Sequence, residues 1–101
     1  MQEYYVYILA NKRNGTLYVG MADDLAKRVE RHKEGRGSKF VRRHNLAILV
    51  YYEKVNGYRE ARSRERRLKW WKRKWRLALI EQMNPEWRDL SRDIGKRLAP
   101  R

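Results

Sequence analysis

The sequence has no cysteine, a single phenylalanine and only two prolines, and each scarcity closes a route. Without cysteine there is no disulfide and no Cys-based zinc site, so the chain depends on its own core, and a reducing cytosol is its natural setting. Both prolines, Pro85 and Pro100, fall late, and no Pro-rich or repeated segment suggests a linker. Long apolar runs are missing too. The longest, Leu46 to Tyr52, matched in length by Tyr4 to Ala10, falls far short of the roughly 20 residues of a membrane span and suits a strand buried on both faces. The first ten residues lack a basic signal-peptide n-region, and the expectation is a soluble cytoplasmic protein. Acidic residues are scarce as well, with twelve Asp and Glu against 26 Lys and Arg, a net charge of +14.

That excess is spread along the chain, with eleven basic residues against six acidic up to Asn56 and fifteen against six beyond it. So much like charge repels itself in a compact state unless a polyanion offsets it, and nucleic acid is the usual polyanion. An anionic membrane surface or an RNA-rich assembly is the competing partner. A chain of 101 residues is long enough for one domain with its own core and too short for two. Four Trp, seven Tyr and the Leu, Ile and Val residues supply core material.

Local patterns suggest an element order. Tyr4 to Ala10 is aromatic and β-branched and reads as a strand. Asn14-Gly15 is a two-residue hairpin signal, and Thr16 to Gly20 is the return strand. Asp23 or Asp24 can cap a helix carrying Leu25, Val29 and His32 on one side, with Gly35 placed to end it. Arg36 to Asn45 is basic and reads as a loop, and Leu46 to Val55 as a third strand. The stretch from Tyr58 to Met83 is helical but holds no single apolar stripe, since Trp70, Leu77 and Ile80 lie opposite Ala61, Leu68 and Trp71. A break near Lys72 to Lys74 resolves the conflict, and Asn84-Pro85 ends the second helix. The expected fold is α+β, a small, mostly antiparallel three-stranded sheet flanked by helices in the order β-β-α-β-α-α. Residues 1–90 would form the domain and residues 91–101 a short basic C-terminal tail, frayed at its end.

Five side chains carry chemistry. Tyr7 and Tyr18 lie on the two hairpin strands, and Arg28 and His32, four apart, share a helix face. Glu65 lies within about 40° of the apolar side of its helix, where a carboxylate is costly unless it is paired or ligates a cation. Taken singly these residues are a packed aromatic, a solvated helix face and an ion-pair partner, for which Arg28 would serve.

Together they resemble a known pattern. Tyr5-Val6-Tyr7 and, after ten intervening residues, Tyr18-Val19-Gly20 are similar to the signature of the GIY-YIG nuclease superfamily, here with Val for Ile and without the first Gly. A helix with Arg and His and a later helix with Glu follow, as in that family. The stretches Arg64-Glu65-Arg66-Arg67-Leu68-Lys69 and Asn84-Pro85-Glu86-Trp87-Arg88-Asp89-Leu90 resemble its small single-domain bacterial members, the UPF0213-like or URI type. The resemblance implies the GIY-YIG fold and metal-dependent hydrolysis of DNA phosphodiesters, with branched, damaged or single-stranded DNA among the substrates to consider. Glu65 would hold one Mg²⁺ or Mn²⁺ with waters and phosphate completing the octahedron, and Arg28 would clamp the scissile phosphate. Tyr7 and Tyr18 would orient or deprotonate the attacking water. A tyrosine titrating near 10 needs a drop of roughly three units to act as a base at neutral pH, which Arg28 and the metal would have to supply, so His32 is the alternative base or relay. Asn84 is a looser match to a late asparagine of the family.

Around this set, Lys39, Arg42 and Arg43 on the loop, and Lys69, Lys72, Arg73, Lys74 and Arg76 beyond it, would cradle the phosphate backbone. Trp70 is either core, a self-association surface or a platform for an unpaired base. A non-catalytic nucleic-acid-binding module with the same fold is the alternative to the nuclease.

Overall fold

The computed structural model describes residues 2–98 and has eight elements. They are β1 (Glu3–Ala10), β2 (Leu17–Ala22), α1 (Leu25–Lys33), α2 (Lys39–Arg43), β3 (Ile48–Asn56), α3 (Tyr58–Trp70), α4 (Arg73–Met83) and α5 (Ser91–Leu98). The strands form one sheet in the order β2-β1-β3, antiparallel throughout, which is the expected α+β class.

Strand β1 is central, and its alternating side chains feed two cores. Tyr5, Tyr7 and Leu9 pack with Leu25 and Val29 of α1, Val41 of α2, and Leu90 and Ile94. Val6, Ile8 and Ala10 pack with Ala61 and Leu68 of α3, Ile80 of α4, and Trp87. Both faces of β1 are therefore covered, which explains its nearly continuous apolar sequence. At roughly 1.5–3 kcal/mol for each fully buried large apolar side chain, these two layers supply most of the driving force for folding. A bulge interrupts the β1–β3 pairing, because Ile8 faces Tyr51 while Leu9 faces Leu49, leaving Val50 as the extra residue.

Helix α1 starts where its sequence says it should. Asp24 is the N-cap, its side chain accepting from the Lys27 N–H at 3.0 Å, and Gly35 follows the helix at φ 77°. Leu25, Val29 and His32 form its buried side.

The long helical stretch breaks at Trp71 and Lys72, both extended, with ψ near 147° and 145°. Arg64 holds this corner. Its guanidinium donates twice to Glu53, at 2.9 and 3.1 Å, and lies 5.3 Å from the Trp71 ring centroid. The break lets Leu68 and Ile80 face the same core.

Three expectations need correction. Ala10 pairs with Leu17, so residues 11–16 form a longer loop rather than a two-residue Asn14-Gly15 turn. Asn14 alone takes a positive φ, 56°, and Asn11 Oδ1 closes the loop by accepting from the Thr16 N–H at 3.0 Å. The basic segment read as a loop contains α2, begun by Ser38 Oγ accepting from the Phe40 N–H at 3.1 Å and anchored by buried Val41. Beyond Leu90, where a polar tail was expected, the chain forms α5, whose Ile94 is buried beside α1. Asp89 secures it, accepting from the backbone N–H groups of Leu49 (3.2 Å) and Ser91 (3.1 Å) and from Lys33 Nζ. The expected frayed end, residues 99–101, lies outside the described residues. Among the described residues no helix is long and apolar enough to cross a membrane.

Candidate active site

Tyr7 and Tyr18 come together through strand register. Tyr7 faces Gly20, and Tyr18 faces Leu9, so the two tyrosines are diagonal neighbours with ring centroids 6.4 Å apart. Gly20 makes room for them. A Cβ there would lie 2.6 Å from the Tyr7 hydroxyl oxygen and 2.9 Å from the Tyr18 ring, a close approach that requires glycine.

Helix α1 brings His32 against both. Its Nε2 lies 3.0 Å from the Tyr7 hydroxyl, and its ring is 5.7 Å from that of Tyr18. His32 is 6 % exposed and its Nδ1 has no hydrogen-bond partner. Gly37 stands against this nitrogen, where a Cβ would come within 2.2 Å. Arg28, one turn earlier, donates from Nη1 to the Met21 carbonyl at 3.2 Å, which steadies the guanidinium beside the sheet edge. Tyr18, Arg28, His32, Arg31, Arg36 and Gly37 surround an open pocket of about 380 Å³. Tyr7, fully buried, backs His32 from beneath.

The electrostatics separate the candidate bases. Burial pushes the Tyr7 hydroxyl well above its ordinary range, the Tyr18 charge adds to this, Arg28 pulls it partly back, and Glu65 pushes it up again. Burial lowers His32, with the charges of Arg28 and Arg31 acting the same way. Thus Tyr7 stays a neutral phenol and His32 stays neutral imidazole at physiological pH. Arg28 by itself does not bring the Tyr7 hydroxyl down, because desolvation outweighs one guanidinium.

Glu65 is 8 % exposed on the core side of α3, near enough to Tyr7 for its charge to be felt there. Its ion partners are Lys69 at 3.4 Å and Arg62 at 4.0 Å rather than Arg28. Among the described residues no three His, Asp or Glu side chains cluster. A lone, nearly buried carboxylate fits a hard divalent cation shared with waters and substrate phosphate, and does not fit a site that holds the ion unaided.

The remaining candidates divide. Lys39, Arg42 and Arg43 project from α2 around a second pocket beside the first, and Lys72 and Lys74 are exposed at the start of α4. Lys69 is spent on Glu65. Arg73 clamps the hairpin loop by donating to the carbonyls of Asn14 (2.7 Å) and Gly15 (2.5 Å). Arg76 is half-buried with its Nε unpartnered. Asn84 does not join the site. Its amide donates to the Val50 and Arg88 carbonyls, its oxygen accepts from the Arg88 N–H, and it serves as a buried backbone lock. Trp70 is 88 % exposed and so no part of the core.

Sequence reasoning missed Gly37, Arg31, Arg36 and Phe40. Only the second glycine of Gly35-Arg36-Gly37 offered a signal, and its cause, the His32 ring, is not local.

The architecture and the residue set have counterparts. Residues 3–78 match the model of the GIY-YIG catalytic domain. A UPF0213 protein of Bacillus pumilus is 39 % identical over 83 residues, 82 % of this chain and 84 % of its own. One from Clostridium perfringens is 37 % identical over 91 residues, 90 % of this chain and 97 % of its own. The solution structure of a UPF0213 protein from Bacillus halodurans superposes with a TM-score of 0.54 at 26 % identity, covering 86 % of this chain and 92 % of that one.

Proposed function

Because the chain belongs to the GIY-YIG family of nuclease-type catalytic domains, we propose that it is a metal-dependent DNA endonuclease whose proton acceptor is His32. The observation that carries this reading is the buried contact between Tyr7 and His32 Nε2 at 3.0 Å, with His32 Nδ1 buried against Gly37 and without a hydrogen-bond partner.

In this reading Nε2 carries the hydrogen and donates to the Tyr7 oxygen, leaving the buried Nδ1 lone pair, beside Gly37, as the proton acceptor. Tyr7 is then a positioning residue, acting as second partners of histidine do elsewhere. Tyr18, half-buried on the pocket wall, orients the water through its hydroxyl. Arg28 holds the scissile phosphate and stabilises charge as the water oxygen bonds to phosphorus and the bond to the leaving 3′ oxygen breaks. The leaving oxygen takes its proton from solvent, and His32 returns its own there.

Glu65 would hold Mg²⁺ or Mn²⁺, which supplies charge neutralisation at the phosphate and leaving oxygen. Lys69 would then give up the carboxylate, and its freed ammonium would face the DNA backbone. Lys39, Arg42 and Arg43 extend the phosphate-binding surface from the same rim.

The test is cleavage of single-stranded, duplex, flap and branched DNA with Mg²⁺ or Mn²⁺. Wild type should cut and Glu65→Gln should not, while both bind DNA alike, since Gln keeps the volume and loses the charge. Wild type that cuts none of these substrates removes the nuclease reading, and a Gln variant as active as wild type removes the metal-holding role of Glu65. The first outcome with binding intact favours the non-catalytic binding module.

A further inference from the structure

The chain's one phenylalanine is not in the core. Phe40 lies on α2 and is 43 % exposed, although Val41 beside it is fully buried. Its ring stacks towards Tyr18, with centroids 6.3 Å apart and planes inclined by 29°. The His44 ring lies 4.4 Å from it, its plane inclined by 45°. Tyr18, Phe40 and His44 thus form an aromatic cluster at the rim of the candidate pocket.

Cations flank this cluster. Phe40 shares its pocket with Lys39, Arg42 and Arg43, and Tyr18 shares its own with Arg28, Arg31 and Arg36. No carboxylate lines either pocket. An exposed ring among cations is suited to a strand whose phosphates meet the charges while a base covers the ring. In a duplex the faces of the bases are already stacked on their neighbours, so only an unpaired base can reach Phe40.

We infer that Phe40, beside His44, is a stacking platform for an unpaired base next to the phosphate held by Arg28. The site thereby selects DNA that is single-stranded, or frayed, at the point of attack. This rests on the nuclease reading for its phosphate and deepens it by naming the substrate class. Trp70 is more exposed but borders neither pocket, so it makes the natural comparison.

The experiment measures binding without divalent metal, so that it does not depend on cleavage. An oligonucleotide carrying one 2-aminopurine is titrated as a single strand and as a duplex against wild type, Phe40→Leu, Phe40→Tyr and Trp70→Leu. Wild type should quench the single-strand fluorescence. Phe40→Leu should lose that quenching and about 5- to 150-fold of single-strand affinity, with duplex binding changed by no more than about twofold. Phe40→Tyr should behave as wild type. The inference is overturned if wild type does not quench, if Phe40→Leu weakens both forms equally or neither, or if Trp70→Leu causes the selective loss instead. The quenching result decides even if the leucine variant fails to fold. Selective loss in a protein that cuts nothing would leave the platform standing and remove only the nuclease.

Discussion

Replacing Tyr7 with phenylalanine deletes one oxygen and tests the division of labour between the buried pair. The ring packing among Tyr5, Leu9, Leu25 and Val29 is retained, so no cavity larger than a hydroxyl opens. The variant lacks the 3.0 Å hydrogen bond to His32 Nε2, and both ring nitrogens of a nearly buried histidine are then without partners. Leaving a buried donor unpaired costs about 1–3 kcal/mol. For a domain of this size each kcal/mol lowers the midpoint of thermal unfolding by roughly 4–8 °C, so a fall of about 4–24 °C is expected in a calorimetric scan. With the tautomer no longer held, turnover should drop by about one to two orders of magnitude, in keeping with a misplaced catalytic group. The pH profile discriminates between the tyrosine and the histidine. His32 is lowered from its ordinary value near 6.5 by burial and by Arg28 and Arg31, and its neutral form is the active one. Activity should therefore rise as pH climbs through a value below 6.5 and stay flat from neutrality to pH 8. Tyr7→Phe should keep that shape at a lower level, whereas His32→Gln should abolish the acid limb. A wild-type rate still climbing between pH 8 and 10, with the climb absent in Tyr7→Phe, would make Tyr7 the base and refute the assignment.

Three further outcomes follow from the same geometry. Gly37→Ala places a methyl group against His32 Nδ1, so cleavage should fall at least about tenfold while DNA affinity is kept; unchanged turnover would mean that this nitrogen plays no part. Asp89→Ala strips partners from the Leu49 and Ser91 N–H groups and from Lys33 and should cost about 1–3 kcal/mol in a denaturant titration. Burial raises the Asp89 carboxyl, but the hydrogen bonds from Lys33, Ser91 and Leu49 outweigh it and hold the group below its ordinary value. Its contribution is therefore present at neutral pH and lost as pH falls through that lowered value, and the alanine variant should lose less stability on acidification. DNA affinity should fall steeply with salt, and reversing Lys72 and Lys74 should flatten the log–log slope by about one for each phosphate that is no longer neutralised. A slope unchanged by both reversals would remove the start of α4 from the interface.

Most of the fold was legible because its signals are local. The aromatic and β-branched run of β1, the Asp24 cap, Gly35, and the clash of apolar faces between Tyr58 and Met83 each depend on residues within a few turns of one another. Helix α2 was missed because Val41 alone anchors five residues, too few for a periodicity. Helix α5 was missed because its stability rests on Asp89 meeting Leu49 and Lys33, which stand far away in the chain. The hairpin loop was misread for the same reason, since Asn11 and Arg73, not the Asn14-Gly15 pair alone, set its shape.

For the candidate site, residue types and spacing identified Tyr7, Tyr18, Arg28, His32 and Glu65 and the resemblance they carry. The sequence by itself determined the charge, the strand and helix faces, and that these five could converge. Only the tertiary structure decided which of them meet. It buried Tyr7 and thereby raised its hydroxyl, set His32 against it, gave Glu65 lysine and arginine partners other than Arg28, and carried Phe40 to Tyr18. The physical reason is that desolvation and pairing depend on which surfaces the packed sheet and helices bring together, and spacing along the chain does not encode those contacts.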